Sequence, residues 1–136
     1  MSDEHRVDHI GMSVADIGQS AEWYGRYFGF EEARRFDKPD LGLKGATLQL
    51  GDAWMELLQP YQPAGRAGQG GEDHDTPASV LGITGLVHLA VGVSDLPAMY
   101  ERMKRDGVAM VTGLVESKFF FCKDPDGILI EVKQKK

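Results

Sequence analysis

The sequence predicts an α+β fold made of two tandem βαβββ modules, and three observations carry that prediction. The chain repeats itself: His9 to Ile17 reads H-I-G-M-S-V-A-D-I and His88 to Leu96 reads H-L-A-V-G-V-S-D-L. Both copies open on His, place Val sixth and Asp eighth, and close on Ile or Leu. Each copy is followed, at a nearly equal distance, by a Glu inside an apolar run: Glu56 in W-M-E-L-L-Q and Glu131 in L-I-E-V-K-Q. Between these marks, stretches of period two and period 3.6 come in the same order in both halves.

The first module spans residues 1–60. Residues 6–14 alternate, with Val7, His9, Gly11 and Ser13 on one strand face and Asp8, Ile10, Met12 and Val14 on the other. Asp16 reads as a helix N-cap with Gln19 three residues on. Ile17, Ala21, Tyr24 and Phe28 then form the apolar stripe of an amphipathic helix, closed by Gly29. Phe30–Phe36 reads as the second strand and 37–45 as a loop with one Pro and two Gly. Ala46–Leu50 and Trp54–Gln59 are strands around the Gly51-Asp52 turn.

Residues 61–84 hold Pro63, Gly65, Gly68, Gly70, Gly71 and Pro77, which break any regular pattern. They read as a linker between modules; the alternative is a linker that doubles as a lid over the site. The second module spans 85–136. Gly85–Ser94 is its first strand. Asp95 caps a helix with Pro97 in its first turn and Leu96, Met99, Tyr100 and Met103 as its stripe. Val108–Val115, Lys118–Lys123 and Ile128–Lys133 are its remaining strands, the last two joined by the turn Asp124-Pro125-Asp126-Gly127.

Length and composition fit one compact domain, or two small modules sharing a core. There are 136 residues, 42% of them hydrophobic, with a formal net charge of −6. That acidic balance argues against nucleic acid or an anionic membrane as partner and leaves a small-molecule substrate. The lone cysteine, Cys122, excludes an internal disulfide framework. The polar N-terminal M-S-D-E-H-R carries no signal-like run, so the expected location is cytoplasmic.

His9 and His88 stand on the first strand of their modules, Glu56 and Glu131 on the last. Imidazole and carboxylate together suit Zn, Ni, Co, Mn or Fe(II). Each residue alone has a plainer reading, as a structural histidine or a solvated glutamate. The repeat spacing makes the four together a candidate metal set. His5 and His74 have no counterpart in the other half and read as solvated.

The motifs V-D-H-I-G-M-S-V-A-D-I, W-Y-G-R-Y-F-G-F, M-E-L-L-Q-P, G-L-V-H-L-A-V-G-V-S-D-L and D-P-D-G-I-L-I-E-V resemble the vicinal oxygen chelate superfamily, closest to glyoxalase I-like proteins. The likeness runs from Val7 to Gln134. It implies a cupped mixed sheet around a divalent metal and, in many members, a homodimer. It implies His9, Glu56, His88 and Glu131 as ligands, and a lyase or isomerase that moves a proton through an enediolate, with Glu131 as base and Glu56 as second base. Trp54, Phe119, Phe120 and Phe121 are candidate apolar walls. The glyoxalase I pattern has Arg four residues after the first His and Asn four after the first Glu; here these are Ser13 and Pro60, which points away from glutathione. Two other readings stand beside this one: an Fe(II) extradiol-type dioxygenase, and a metal-free drug-binding resistance protein.

Overall fold

The computed structural model describes residues 7–63, 85 and 88–135. The chain divides into two compact units, Met1–Pro63 and Ala64–Lys136. The linker 64–84, with His74, and the N-terminal stretch with His5 lie outside the described residues.

The first unit runs β1 (Ile10–Ser13), α1 (Ile17–Phe28), β2 (Glu31–Lys38), a 3₁₀ turn at Pro39–Leu41, β3 (Leu43–Leu50) and β4 (Ala53–Pro60). Its four strands lie in the order β1-β4-β3-β2. β1 pairs with β4 in parallel and the other pairs are antiparallel. The helix is the crossover that lets the first and last strands run parallel. It starts where the Asp16 carboxylate accepts the Gln19 N–H at 2.9 Å, and stops at Gly29, whose φ of 81° only glycine adopts without cost. Met12, Val14, Met55, Leu57, Ala46 and Leu48 point from the sheet into the core beneath α1. From the helix, Ile17, Ser20, Tyr24 and Tyr27 are buried, so the inward face is turned toward Ser20 and Tyr27 relative to the Ala21 and Phe28 of the sequence reading. The 37–45 loop is shorter than expected: β2 runs on to Lys38 and β3 begins at Leu43.

One irregularity interrupts this sheet. Glu32 pairs with Leu48 and Arg34 with Thr47, so Ala33 is an extra residue in β2. A bulge of this kind reverses which face the following side chains occupy.

The second unit runs β5 (His88–Val93), α2 (Leu96–Arg105), β6 (Phe119–Lys123) and β7 (Leu129–Gln134). The strand order is β5-β7-β6, with β5 and β7 parallel and β6 and β7 antiparallel. Asp95 caps α2 as Asp16 caps α1, accepting the Ala98 N–H at 3.1 Å. Val91, Leu96, Met103, Phe120, Cys122, Ile130 and Val132 form the core between helix and sheet.

The expected strand Val108–Val115 is reduced to two isolated bridges, Met110 with Cys122 and Val115 with Phe119. The N–H groups of Val111 and Thr112 converge on one acceptor, the Phe121 carbonyl, at 2.9 and 3.2 Å. The Phe121 N–H is taken by the Thr112 hydroxyl at 2.9 Å rather than by backbone. A side chain thus replaces a rung and the ladder breaks. The chain then turns through Glu116 and Ser117, both with positive φ (51° and 57°). The turn at Asp124–Gly127 forms as expected: the Asp124 carboxylate accepts the N–H groups of Asp126 and Ile128 at 2.9 and 2.8 Å.

Candidate metal centre

In each unit the first and last strands are parallel neighbours, and the register is the same in both. Gly11, two residues beyond His9, is the residue opposite Glu56. Ala90, two residues beyond His88, is the residue opposite Glu131. Because side chains two apart share a face, this offset puts His and Glu diagonally adjacent on the side of the sheet away from the helix. His9 Nε2 lies 3.7 Å from Glu56 Oε1, and His88 Nε2 lies 3.3 Å from Glu131 Oε1.

Two donors each about 2.1 Å from one ion, at angles between octahedral and tetrahedral, are about 3.0–3.4 Å apart. The His88–Glu131 pair already has that separation, and the His9–Glu56 pair needs to close by only a few tenths of an ångström. Both pairs therefore fit a divalent cation by distance and by donor chemistry. Neither carboxylate is sealed from water: the Glu56 and Glu131 side chains keep 26% and 17% of their exposure. Among the described residues no group of three or more His, Cys, Asp and Glu side chains is gathered as a metal-binding set.

The His9 ring is oriented by a neighbour. Its Nδ1 is 2.8 Å from an Asp8 carboxylate oxygen. A proton held on Nδ1 leaves the Nε2 lone pair facing Glu56, the arrangement a metal-binding imidazole needs. The hydrogen bond to Asp8 raises the His9 pKa above its ordinary 6.5; partial burial works against the rise, and the charge of Glu56 adds to it. His88 is held differently, its ring edge-on to Phe121 with centroids 5.8 Å apart and planes at 85°.

Two glutamines, whose role the sequence reading missed, tie these strands to the helices. Gln59 stands three residues after Glu56 and its side-chain oxygen accepts the Ile17 N–H at 2.9 Å. Gln134 stands three residues after Glu131; its oxygen accepts the Leu96 N–H at 3.1 Å. Its amide nitrogen donates to Ser94 O at 2.7 Å and Val93 O at 3.2 Å. Each glutamine satisfies the first free N–H of the helix that follows the His strand. The signal was visible as E-x-x-Q in both halves.

Of the three consecutive phenylalanines, Phe121 pairs with Glu131 and Phe119 with Lys133, so these two share the Glu131 face. Their rings touch edge-on, with centroids 5.7 Å apart. Phe120 faces the helix instead, fully buried against Tyr100, and is core rather than pocket wall. Trp54 is 38% exposed and sits one strand position before Met55, on the Glu56 side of β4.

Residues 6–132 match the model of the Glyoxalase/Bleomycin resistance protein/Dioxygenase superfamily. The chain is 30% identical to an ethylmalonyl-CoA/methylmalonyl-CoA epimerase of Cereibacter sphaeroides, over 95% of this chain and 97% of that one. It is 29% identical to a probable lactoylglutathione lyase of Vibrio cholerae, over 97% of this chain and 92% of that one. Among solved structures it resembles the trypanothione-dependent glyoxalase I of Leishmania major, with a TM-score of 0.76 at 21% identity, over 96% of this chain and 87% of that one; at that identity the likeness speaks for the fold. Among the described residues no helix is long and apolar enough to cross a membrane. With its repeated βαβ-type units and paired His–Glu strands, the chain belongs to the Glyoxalase/Bleomycin resistance protein/Dioxygenase superfamily.

Proposed function

We propose that this protein is a metal-dependent lyase or isomerase of the glyoxalase type, moving a proton on the carbon next to the carbonyl of a small thiol-linked substrate. The observation that carries the reading is the twin His–Glu pair, with the same strand offset in both units and donor separations of 3.3 and 3.7 Å. His9, Glu56, His88 and Glu131 would be the protein ligands for a divalent ion (Ni, Zn, Co or Mn). That ion would supply Lewis-acid polarisation of the substrate carbonyl.

The protein groups do the rest. Glu131 takes the proton from the carbon and Glu56 returns one from the other side, as a carboxylate pair can when each is within reach of the reacting carbon. Phe119 and Phe121 line the Glu131 face with apolar surface. Two of the relatives are named for an epimerase and a lyase, and both activities need these steps. Ser13 and Pro60, where a glutathione enzyme of this family has Arg and Asn, make an acyl thioester the first substrate to try. We place the enzyme in the cytoplasm as a homodimer.

The test is metal content by elemental mass spectrometry on wild type and Glu56→Ala, followed by a substrate panel. Near-stoichiometric Ni, Zn, Co or Mn that is lost in the variant supports the reading. Solvent deuterium entering an acyl thioester then marks an epimerase, and turnover of an α-keto hemithioacetal marks a lyase. Iron retained by the variant, or no metal even after reconstitution, overturns it.

A further inference from the structure

The bulge at Ala33 decides what the edge strand of the first sheet presents to the Glu56 side. Had the same sequence kept a regular register past Glu32, Ala33 would stand opposite Thr47 and Arg34 opposite Ala46, on the helix side. With it, Arg34 stands opposite Thr47 and Phe36 opposite Gly45. Thr47 is itself opposite Glu56, which is opposite Gly11. Gly11, Glu56, Thr47 and Arg34 therefore form one row across all four strands, on one face. Strands are about 4.8 Å apart, so the Arg34 backbone is about 10 Å from that of Glu56.

The same bulge sends Arg35 to the opposite face, and the two arginines fare differently there. Arg35 is engaged: its guanidinium meets both oxygens of Glu32 at 2.8 and 3.0 Å. Arg34 instead lies over the Phe36 ring, 5.2 Å from its centroid, and Lys38 lies over the same ring at 5.6 Å. Among the described residues no carboxylate is ion-paired with Arg34 or Lys38. Glu31, opposite Gln49 on that face, is not joined to either. The result is two cations on one aromatic platform, with no acid paired to either among the described residues, in a molecule whose net charge is −6.

We propose that Arg34 and Lys38 form an anion-binding subsite on the Glu56 face, which takes the carboxylate or phosphate of the thiol that carries the substrate. This rests on the proton-transfer reading above and names the part of the substrate that the reading leaves open. An arginine resting over a ring can keep its fork free for two oxygens of one anion, and the nearby ammonium adds a point charge. In a net-acidic protein, a local cationic patch is what lets an anionic ligand approach at all. The competing explanation is that charges on an edge strand only discourage strand pairing. Such charges would show no preference for one ligand.

Binding measurements separate the two. Glutathione and coenzyme A serve as anionic probes, with glutathione monoethyl ester, whose net charge is zero, and pantetheine as their neutral counterparts. Each is titrated by calorimetry into wild type, Arg34→Ala/Lys38→Ala and Arg34→Lys, with circular dichroism confirming the fold. The expected result is that one anionic thiol binds wild type at least tenfold tighter than its neutral counterpart. That margin is lost in the double variant and partly kept in Arg34→Lys, while the neutral form binds all three alike. Preference for glutathione identifies a carboxylate carrier; preference for coenzyme A identifies a phosphate carrier. The proposal is overturned if neither anionic thiol outbinds its neutral form, or if the double variant holds the anionic thiol within twofold of wild type. Metal content measured on the same samples keeps the two ideas apart. Metal without charge preference sinks only the subsite, and charge preference without metal sinks only the proton-transfer reading.

Discussion

His88 Nε2 stands 3.3 Å from Glu131 Oε1 because the residue opposite Glu131 is Ala90, two positions beyond the histidine. The contact is a product of strand register, so the carboxylate can be neutralised without disturbing the strand. Glu131→Gln keeps the side-chain shape and removes the proposed base. Turnover of the substrate identified by the panel should fall by about 10²-fold or more, with an unchanged circular dichroism spectrum. Activity within a few-fold of wild type would remove Glu131 from the role of base.

Gln134 bridges the end of β7 to Val93, Ser94 and Leu96, whereas among the described residues Gln59 is seen bonded to Ile17. Replacing either with Leu leaves a helix-start N–H without its partner. Urea unfolding should show Gln134→Leu destabilised by about 1–3 kcal/mol and Gln59→Leu by about 1 kcal/mol. Equal effects in the two variants would mean that the extra bonds of Gln134 contribute nothing.

The turn at Glu116 and Ser117 holds two ordinary residues at positive φ. Asn followed by Gly is the pair that adopts such angles most readily. Glu116→Asn/Ser117→Gly should therefore raise stability by about 1 kcal/mol, read as a higher thermal midpoint. A lower midpoint would show that the Glu116 or Ser117 side chain makes a compensating contribution.

Burial, with a smaller push from the Asp124 charge, raises the Cys122 thiol pKa from 9.0 to about 12. The folded state thus holds the thiol proton more tightly than the unfolded state does. The resulting stability is fully present below about pH 9 and is lost as pH rises through about 12. At pH 8 a thiol-specific disulfide reagent should leave the native protein unmodified and label one thiol per chain once urea unfolds it. Rapid labelling of the native protein would show that β6 opens readily.

Gly45 is the glycine where a side chain has least room. A Cβ there would come within 2.8 Å of the Leu57 carbonyl oxygen and 2.7 Å of the Phe36 ring. Gly45→Ala should cost about 1–3 kcal/mol in urea unfolding. A neutral result would mean that the Phe36 ring swings aside freely, and would loosen the platform on which Arg34 and Lys38 rest.

The parts of this protein that repeat were legible in the sequence. The His strand, the Asp cap, the helix and the Glu strand each obey a local rule, and the second copy confirmed the first. What escaped was set by contacts between strands. Nothing local in E-E-A-R-R-F announces that Ala33 is the extra residue; that follows from how β2 meets β3. The Val108–Val115 stretch has strand composition, and only its encounter with β6 shows the Thr112 hydroxyl displacing a backbone rung. Phe119, Phe120 and Phe121 all look like wall residues until pairing with β7 fixes which of them face Glu131. For the candidate site, the sequence named the residues, and folding brought each His to the Glu of its own half.

Ala33 and Arg34 are neighbouring codons that share one place in the sheet, opposite Thr47. Loss of Ala33 would leave Arg34 there, with the rest of β2 in its present pairing. Loss of Arg34 would put Ala33 there instead and take one cation out of the Glu56 row, while Arg35 and Phe36 kept their partners. The His and Glu strands, β1 and β4, would keep their pairing in both cases. A one-codon deletion at this sheet edge can thus either keep or discard a charge without shifting its neighbours, which gives such a protein a short evolutionary path between substrates of different charge.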